Sequence, residues 1–148
     1  MNPILNSTCY LIWVCSLLHL IADFCMQGIL CDLKQEEWWK KQVEEKWAKY
    51  GGDWRREVWH KYRFDYIAGL LCHSVMWTLV SFSPLMFVTS PITFSVLVVL
   101  NVAIHAYVDD KKANHITSRI NLCSDQLIHL GQVVVTVLLS QVHIEVIL

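Results

Sequence analysis

PILNSTCYLIWVCSLLHLIADFCMQGIL, residues 3–30, decides the fold. This stretch has no Lys or Arg, and it exceeds the roughly 20 apolar residues that carry a helix across a bilayer. Yet it holds His19 and Asp23. Four residues apart on a helix, the two share one face, about 6 Å from each other. Titratable groups inside membrane-length segments are costly, so they face a protein interior and mark function.

Three more apolar blocks follow: Tyr66 to Val88, Pro91 to Val108 and Leu122 to Leu148. The second block carries His73. The third runs through His105 into Asp109, and the fourth holds Asp125 and His129. The Pro91 block is the shortest. The chain has 148 residues, a hydrophobic fraction of 55% and a mean hydropathy of +0.39, which together fit a single membrane domain. The expected fold is all-α. Four transmembrane helices span about 2–32, 65–88, 91–110 and 122–147, with one or two interfacial helices within 34–63.

Charge placement supports that count. Of the twelve Lys and Arg, nine lie between Lys34 and Arg63, and the others are Lys111, Lys112 and Arg119. With four crossings, both basic segments fall on one side, which the positive-inside rule makes cytoplasmic. Both termini and the loop near Ser83 to Pro91 would then lie outside. The N-terminus lacks a basic leader and a clear small-residue cleavage site, so no cleaved signal peptide is expected. Cys9, Cys15, Cys25, Cys31, Cys72 and Cys123 form no CxxC pair. They read as small hydrophobes, not as a disulfide framework.

The segment KQEEWWKKQVEEKWAKYGGDWRREVWHKYRF, residues 34–64, is of another kind. It contains five of the seven tryptophans. Trp39, Val43, Trp47 and Tyr50 form one helical stripe, and Trp54, Val58 and Tyr62 a second. Gly51 or Gly52 suits the end of the first helix, and Asp53 can cap the next. A Trp-rich face opposite charged residues suits helices lying in the headgroup region. Such helices anchor the bundle and cover its mouth. A sharper role is a lid or docking surface for lipid or a partner. The nearly balanced charge argues against nucleic acid. Further on, Pro91 suits a first helical turn, and Asn121 or Ser124 caps the last helix.

The three His/Asp pairs share a sense. The first and third helices run toward the cytoplasm and present His before Asp. The fourth runs back and presents Asp before His. In every pair Asp is nearer the cytoplasm, with His one turn deeper. At 1.5 Å per residue, the four histidines lie roughly 8–18 Å from the cytoplasmic helix ends. A single carboxylate-and-imidazole cluster shared by four helices is the expectation. Gln27, Asn101 and Gln132 extend these faces, whereas Gln126 points about 100° away from Asp125. These amides are candidates for orienting ligands or a substrate headgroup. His60, His115 and His143 read as bystanders, with His115 near enough to overhang the mouth.

Imidazole nitrogen and carboxylate oxygen suit zinc, iron and manganese. The candidate metal ligands are His19, Asp23, His73, His105, Asp109, Asp125 and His129. Seven ligands exceed the four of a closed zinc site, so one or two divalent ions fit, zinc foremost. Metal would offset the cost of three buried carboxylates. A metal pair can activate water and stabilise in-line displacement at phosphorus or an acyl carbon. Asp23, Asp109 and Asp125 are the candidate catalytic groups, one of them as general base. Two other readings remain: Asp/His chains also serve as proton or ion relays, and polar side chains also glue membrane helices together.

The motifs HLIADFCMQ, His73, HAYVDD and DQLIH resemble a small integral-membrane family of bacteria and their phages whose domain has no assigned function. The resemblance implies His19, Asp23, Gln27, His105, Asp109, Asp125, Gln126 and His129 as signature positions, and no activity. The Trp-rich insertion lies outside it. More remotely, the pattern is similar to membrane-embedded metal-dependent hydrolases, by analogy of spacing. The chain has no GxSxG, P-loop or HExxH.

The leading expectation is therefore a metal-dependent hydrolase in the membrane. It would cleave a phosphoester or ester of a lipid or other amphiphile from the cytoplasmic side. The alternative is a non-enzymatic phage or bacterial membrane factor that conducts ions or binds a partner. Holin-like pore formation is its weaker form, since a pore needs no His/Asp cluster. Self-association of the chain stays open.

Overall fold

A computed structural model describes residues 3–51, 53, 58–115, 117 and 120–141. The chain is all-α. Helix α1 covers Pro3–Leu20 and continues as a π-helical turn, Ile21–Cys25. Two short helices follow, α2 (Leu30–Leu33) and α3 (Glu36–Trp47), then α4 (Trp59–Tyr62). Helix α5 (Asp65–Phe82) ends in a 3-10 turn, Ser83–Phe87, and α6 (Pro91–Asn114) and α7 (Leu122–Ser140) complete the bundle. Four helical stretches, Ser7–Cys25, Trp59–Phe87, Pro91–Asn114 and Leu122–Ser140, are long and apolar enough to cross a membrane. Helices α1, α5, α6 and α7 pack in a closed ring, α1 on α5 and α7, α6 on α5 and α7.

The first helix is shorter than the expected 2–32. It ends at Cys25, where Met26 N–H still reaches back five residues to Ile21 O (3.1 Å). Gly28 then adopts φ +46°, a left-handed conformation that other residues take only with strain. An apolar run shows hydrophobicity but not this reversal, so the break is invisible to hydropathy. In the other direction, α6 extends to Asn114, past the expected Asp110. Its start is as read: Pro91 occupies the first turn, and Ser90 caps it by accepting from Thr93 N–H (3.1 Å). Asn121, not Ser124, caps α7, its Oδ1 accepting from Ser124 N–H (2.9 Å).

The bundle is polar inside and apolar outside. Among the described residues, fifteen polar or charged side chains are buried against eleven apolar ones. Meanwhile Leu17, Phe24, Leu79, Val99 and Leu138 point outward. In water this distribution would forfeit the main folding force; in a bilayer it is the stable one. An apolar plug of Cys15, Ala22, Trp77, Phe82, Leu85, Val133 and Val137 fills the bundle beyond the polar cluster. All six cysteines are unpaired.

The segment after the break folds back as a strap across α5 and α6. Asn114 on α6 holds it from both sides, accepting from Glu36 N–H (2.8 Å) and donating to Lys34 O (3.1 Å). Trp39 donates its indole N–H to Leu33 O (2.9 Å). The described parts of the two stripes meet. Trp39, Val43, Trp47 and Tyr50 of the α3 segment face Val58 and Tyr62 around a cavity of about 180 Å³. Gly51 has φ +70° and turns the chain after α3. Trp54, Arg119, His143 and the helix start expected after Asp53 lie outside the described residues.

Gly69 of α5 sets the seat of the strap. A Cβ built there would stand 2.5 Å from Leu33 O and 2.6 Å from its carbonyl carbon. Both are backbone atoms, so α2 itself must move. Gly69→Ala is expected to cost about 1–3 kcal/mol, the range for overpacking. It should also lift Lys34 from the cluster described next. Thermal unfolding in detergent reads this, and a variant as stable as the parent would show a looser crossing.

Candidate metal centre

The His/Asp spacing works as helical geometry demands. Asp109 lies one turn below His105 on α6, and Asp125 one turn before His129 on α7. Their contacts are direct: His105 Nε2 to Asp109 Oδ2 at 3.6 Å, and His129 Nε2 to Asp125 Oδ1 at 3.3 Å. The first pair is linked through a third residue. Gln126 of α7 sits between His19 Nε2 (3.2 Å) and Asp23 Oδ2, to which it donates (2.5 Å). Contrary to the expected rotation away from Asp125, the same amide also reaches Asp125 Oδ2 at 3.4 Å, because its long side chain bends back into the cluster.

Three imidazoles from three helices come together. His105 lies at the centre, its Nε2 3.1 Å from His73 Nε2 and its Nδ1 3.2 Å from His129 Nδ1. Asp109 bridges the ends, with Oδ2 3.1 Å from His73 Nε2 and Oδ1 3.4 Å from His129 Nε2. All three rings are fully buried, and Asp109 is 2% exposed. Among the described residues, two overlapping sets offer ligand atoms that all lie within 4.8 Å of one another. One is Asp23, His73 and His105; the other is His105, Asp109 and His129.

His19 and Asp125 belong to neither set. His19 uses both ring nitrogens elsewhere: Nδ1 accepts from the Trp77 indole (2.9 Å), and Nε2 meets Gln126. Asp125 is held by Lys112 Nζ (2.5 Å). Gln27 donates to Asp23 Oδ1 (2.5 Å), so it orients that carboxylate. Asn101 and Gln132 form a separate knot with Thr136, through Gln132 Nε2 to Asn101 Oδ1 (2.7 Å) and Thr136 Oγ1 to the same oxygen (3.0 Å). Gln132 Oε1 reaches His129 Nδ1 only at 3.4 Å. His115 pairs with Asp110 at the surface (3.1 Å) and does not line the site.

Three further residues shape the cluster. Trp77 stacks flat on His105, with ring centroids 4.0 Å apart at 18°, and closes the site against the apolar plug. It stands four after His73, so the helical period carries it to the same face. Lys34, buried on the strap, donates to Asp109 Oδ2 (2.6 Å). Lys112 is the partner of Asp125. The lysines carry no periodic signal, because one follows a backbone reversal and the other sits at a helix end.

The two His/Asp triads could hold a metal ion. Bonds of 2.0–2.1 Å in a tetrahedral site place ligand atoms about 3.3 Å apart. Contacts of 3.1 to 3.6 Å link His73, His105, His129 and Asp109, but they run through both nitrogens of His105 and His129 and both oxygens of Asp109, so the ligand sets are the two triads and not one group of four. His73 Nδ1 is buried without a hydrogen-bond partner among the described residues. Buried polar atoms left so are rare and call for an explanation. A cavity of about 420 Å³ leads to the cluster between the strap, α6 and the end of α1, lined by Asp23, Gln27, Lys34, Asp109 and Lys112.

The chain matches no protein-family model, no curated protein and no solved structure. The family resemblance thus rests on its motif residues, and the functional argument rests on this geometry.

Proposed function

We propose that the chain is a membrane-embedded metal-binding protein that hydrolyses a phosphoester or ester of a lipid or other amphiphile. One observation carries this reading: two overlapping sets of inward-facing groups, Asp23, His73 and His105, and His105, Asp109 and His129, each offer three ligand atoms within 4.8 Å of one another. One or two divalent ions fit, zinc foremost. When bound, the metal supplies Lewis-acid and water-activating chemistry. The residues of either triad would hold it, with Asp23 as a ligand or as general base. Gln27 and Gln126 hold the Asp23 carboxylate in place, and His19 anchors Gln126. The basic segments set this end of the bundle on the cytoplasmic side by the positive-inside rule.

A relay is the second reading, and a specific contact favours it. The nitrogens of His73, His105 and His129 form an unbroken line ending on Asp109 and Asp125. On the far side the line meets the plug of Trp77, Phe82, Leu85, Val133 and Val137, with Thr78, Ser81 and Thr136 buried at the same level.

Metal analysis of detergent-purified protein tests the proposal. One or two transition-metal ions per chain are expected, lost in His105→Ala. A parent protein that is folded and metal-free would remove the hydrolase reading. Bound metal without cleavage of any ester or phosphoester, together with a pH-dependent ion flux lost in Asp109→Asn, would favour the relay.

A further inference from the structure

Two lysines at the mouth of the cluster have no role in holding a metal. Lys34 comes from the strap and Lys112 from α6, and both line the 420 Å³ cavity beside Asp23 and Asp109. Lys34 is 7% exposed, and a buried ammonium is rare unless it is paired. Each amine has three N–H donors. Lys34 directs one to Asp109 and approaches Gln27 Oε1 at 3.5 Å; Lys112 directs one to Asp125. Donors on both are left for the cavity.

Charge decides what the cavity accepts. Asp23, Asp109 and Asp125 against Lys34 and Lys112 leave the neutral-imidazole site at −1. A single divalent cation makes it +1 and competes with Lys34 for Asp109. The ammonium freed in this way lines the cavity together with Lys112. A carboxylic ester carries no charge to answer it, whereas a phosphoester is an anion with oxygens for two ammoniums and a metal. The remaining wall combines Phe24, Cys31, Ala113 and Leu122 with the amides of Gln27 and Gln35. Phe24 and Leu122, each 58% exposed, flank the opening on the outer face of the bundle.

We propose that this cavity is a phosphate-binding site in which Lys34 and Lys112 grip the anion beside the metal cluster, which selects phosphoesters over carboxylic esters. The inference rests on the metal reading above. The phosphate is either a lipid headgroup, with its tail leaving past Phe24 and Leu122, or a soluble anion.

The test loads the detergent-purified full chain with zinc, measures zinc content, and titrates it with inorganic phosphate. A second arm uses nanodiscs of phosphatidylcholine with or without phosphatidic acid. Saturable, zinc-dependent binding is expected in at least one arm. Lys34→Met and Lys112→Met should each weaken it about tenfold or more, the loss of one charge-assisted hydrogen bond, with zinc content unchanged. Lys34→Arg should retain binding. Lys112 is 31% exposed at its side chain, so its variant carries the test if the buried Lys34→Met does not fold. Preference for phosphatidic acid identifies a lipid headgroup, and preference for inorganic phosphate a soluble anion. Zinc retained with no binding in either arm, or binding unaffected by the lysine changes, overturns this proposal alone. A folded chain that retains no zinc overturns it together with the metal reading.

Discussion

Asp109→Asn is expected to empty the metal centre and to destabilise the bundle by about 3–5 kcal/mol, the cost of removing one partner from a buried ion pair. The substitution preserves shape and removes charge. Among the described residues, Asp109 is the carboxylate that contacts all four of His73, His105, His129 and Lys34. Its neutral amide cannot balance the buried Lys34, and it is a poor ligand for a divalent ion. The two consequences separate in a double variant. Asp109→Asn with Lys34→Met removes both charges, so much of the stability should return while metal binding stays lost. Thermal unfolding in detergent and metal content read the two effects. If the double variant is no more stable than Asp109→Asn alone, Lys34 is not the group that Asp109 neutralises.

Trp77→Ala is the second large effect, expected at about 3–5 kcal/mol for truncating a buried aromatic. Trp77 is fully buried, where the polar cluster meets the apolar plug. It supports His105 by stacking and fixes His19 through its indole N–H. Its loss should free the His105 ring to turn and weaken metal retention as well as the fold. Trp77→Phe divides the two roles. It keeps an aromatic face for His105 and removes only the donor to His19, a change of about 1 kcal/mol. Metal retention should then be close to that of the parent. Equal loss in both variants would mean that His19, not the stacked ring, governs the site.

Much of this architecture is legible along the chain. Four apolar blocks, the Trp-rich segment between the first two, the Pro91 start of α6 and the Asn121 cap of α7 follow from period and composition. So does the gathering of the His/Asp pairs, because spacing by four puts both members on one face and the reversed order on α7 restores their common sense. The limits are as specific. His19 has the same spacing to Asp23 as the other histidines have to their aspartates, yet both its nitrogens serve Trp77 and Gln126. Spacing shows that a ring faces inward; which atom meets it depends on the rotation of the neighbouring helix.

The amino-acid sequence by itself determined the class of fold, the helices that face lipid and the residue types that meet at one end of the bundle. These depend on local terms, hydropathy over about 20 residues and side-chain direction along one helix. The tertiary structure alone decided that His105 lies between two other imidazoles, that Trp77 closes the site, and that Lys34 returns to Asp109. That return requires the left-handed turn at Gly28 and the missing side chain at Gly69, where α2 rests on α5. Neither position has meaning until the chain has folded back upon itself, because each is set by a contact between segments far apart in sequence.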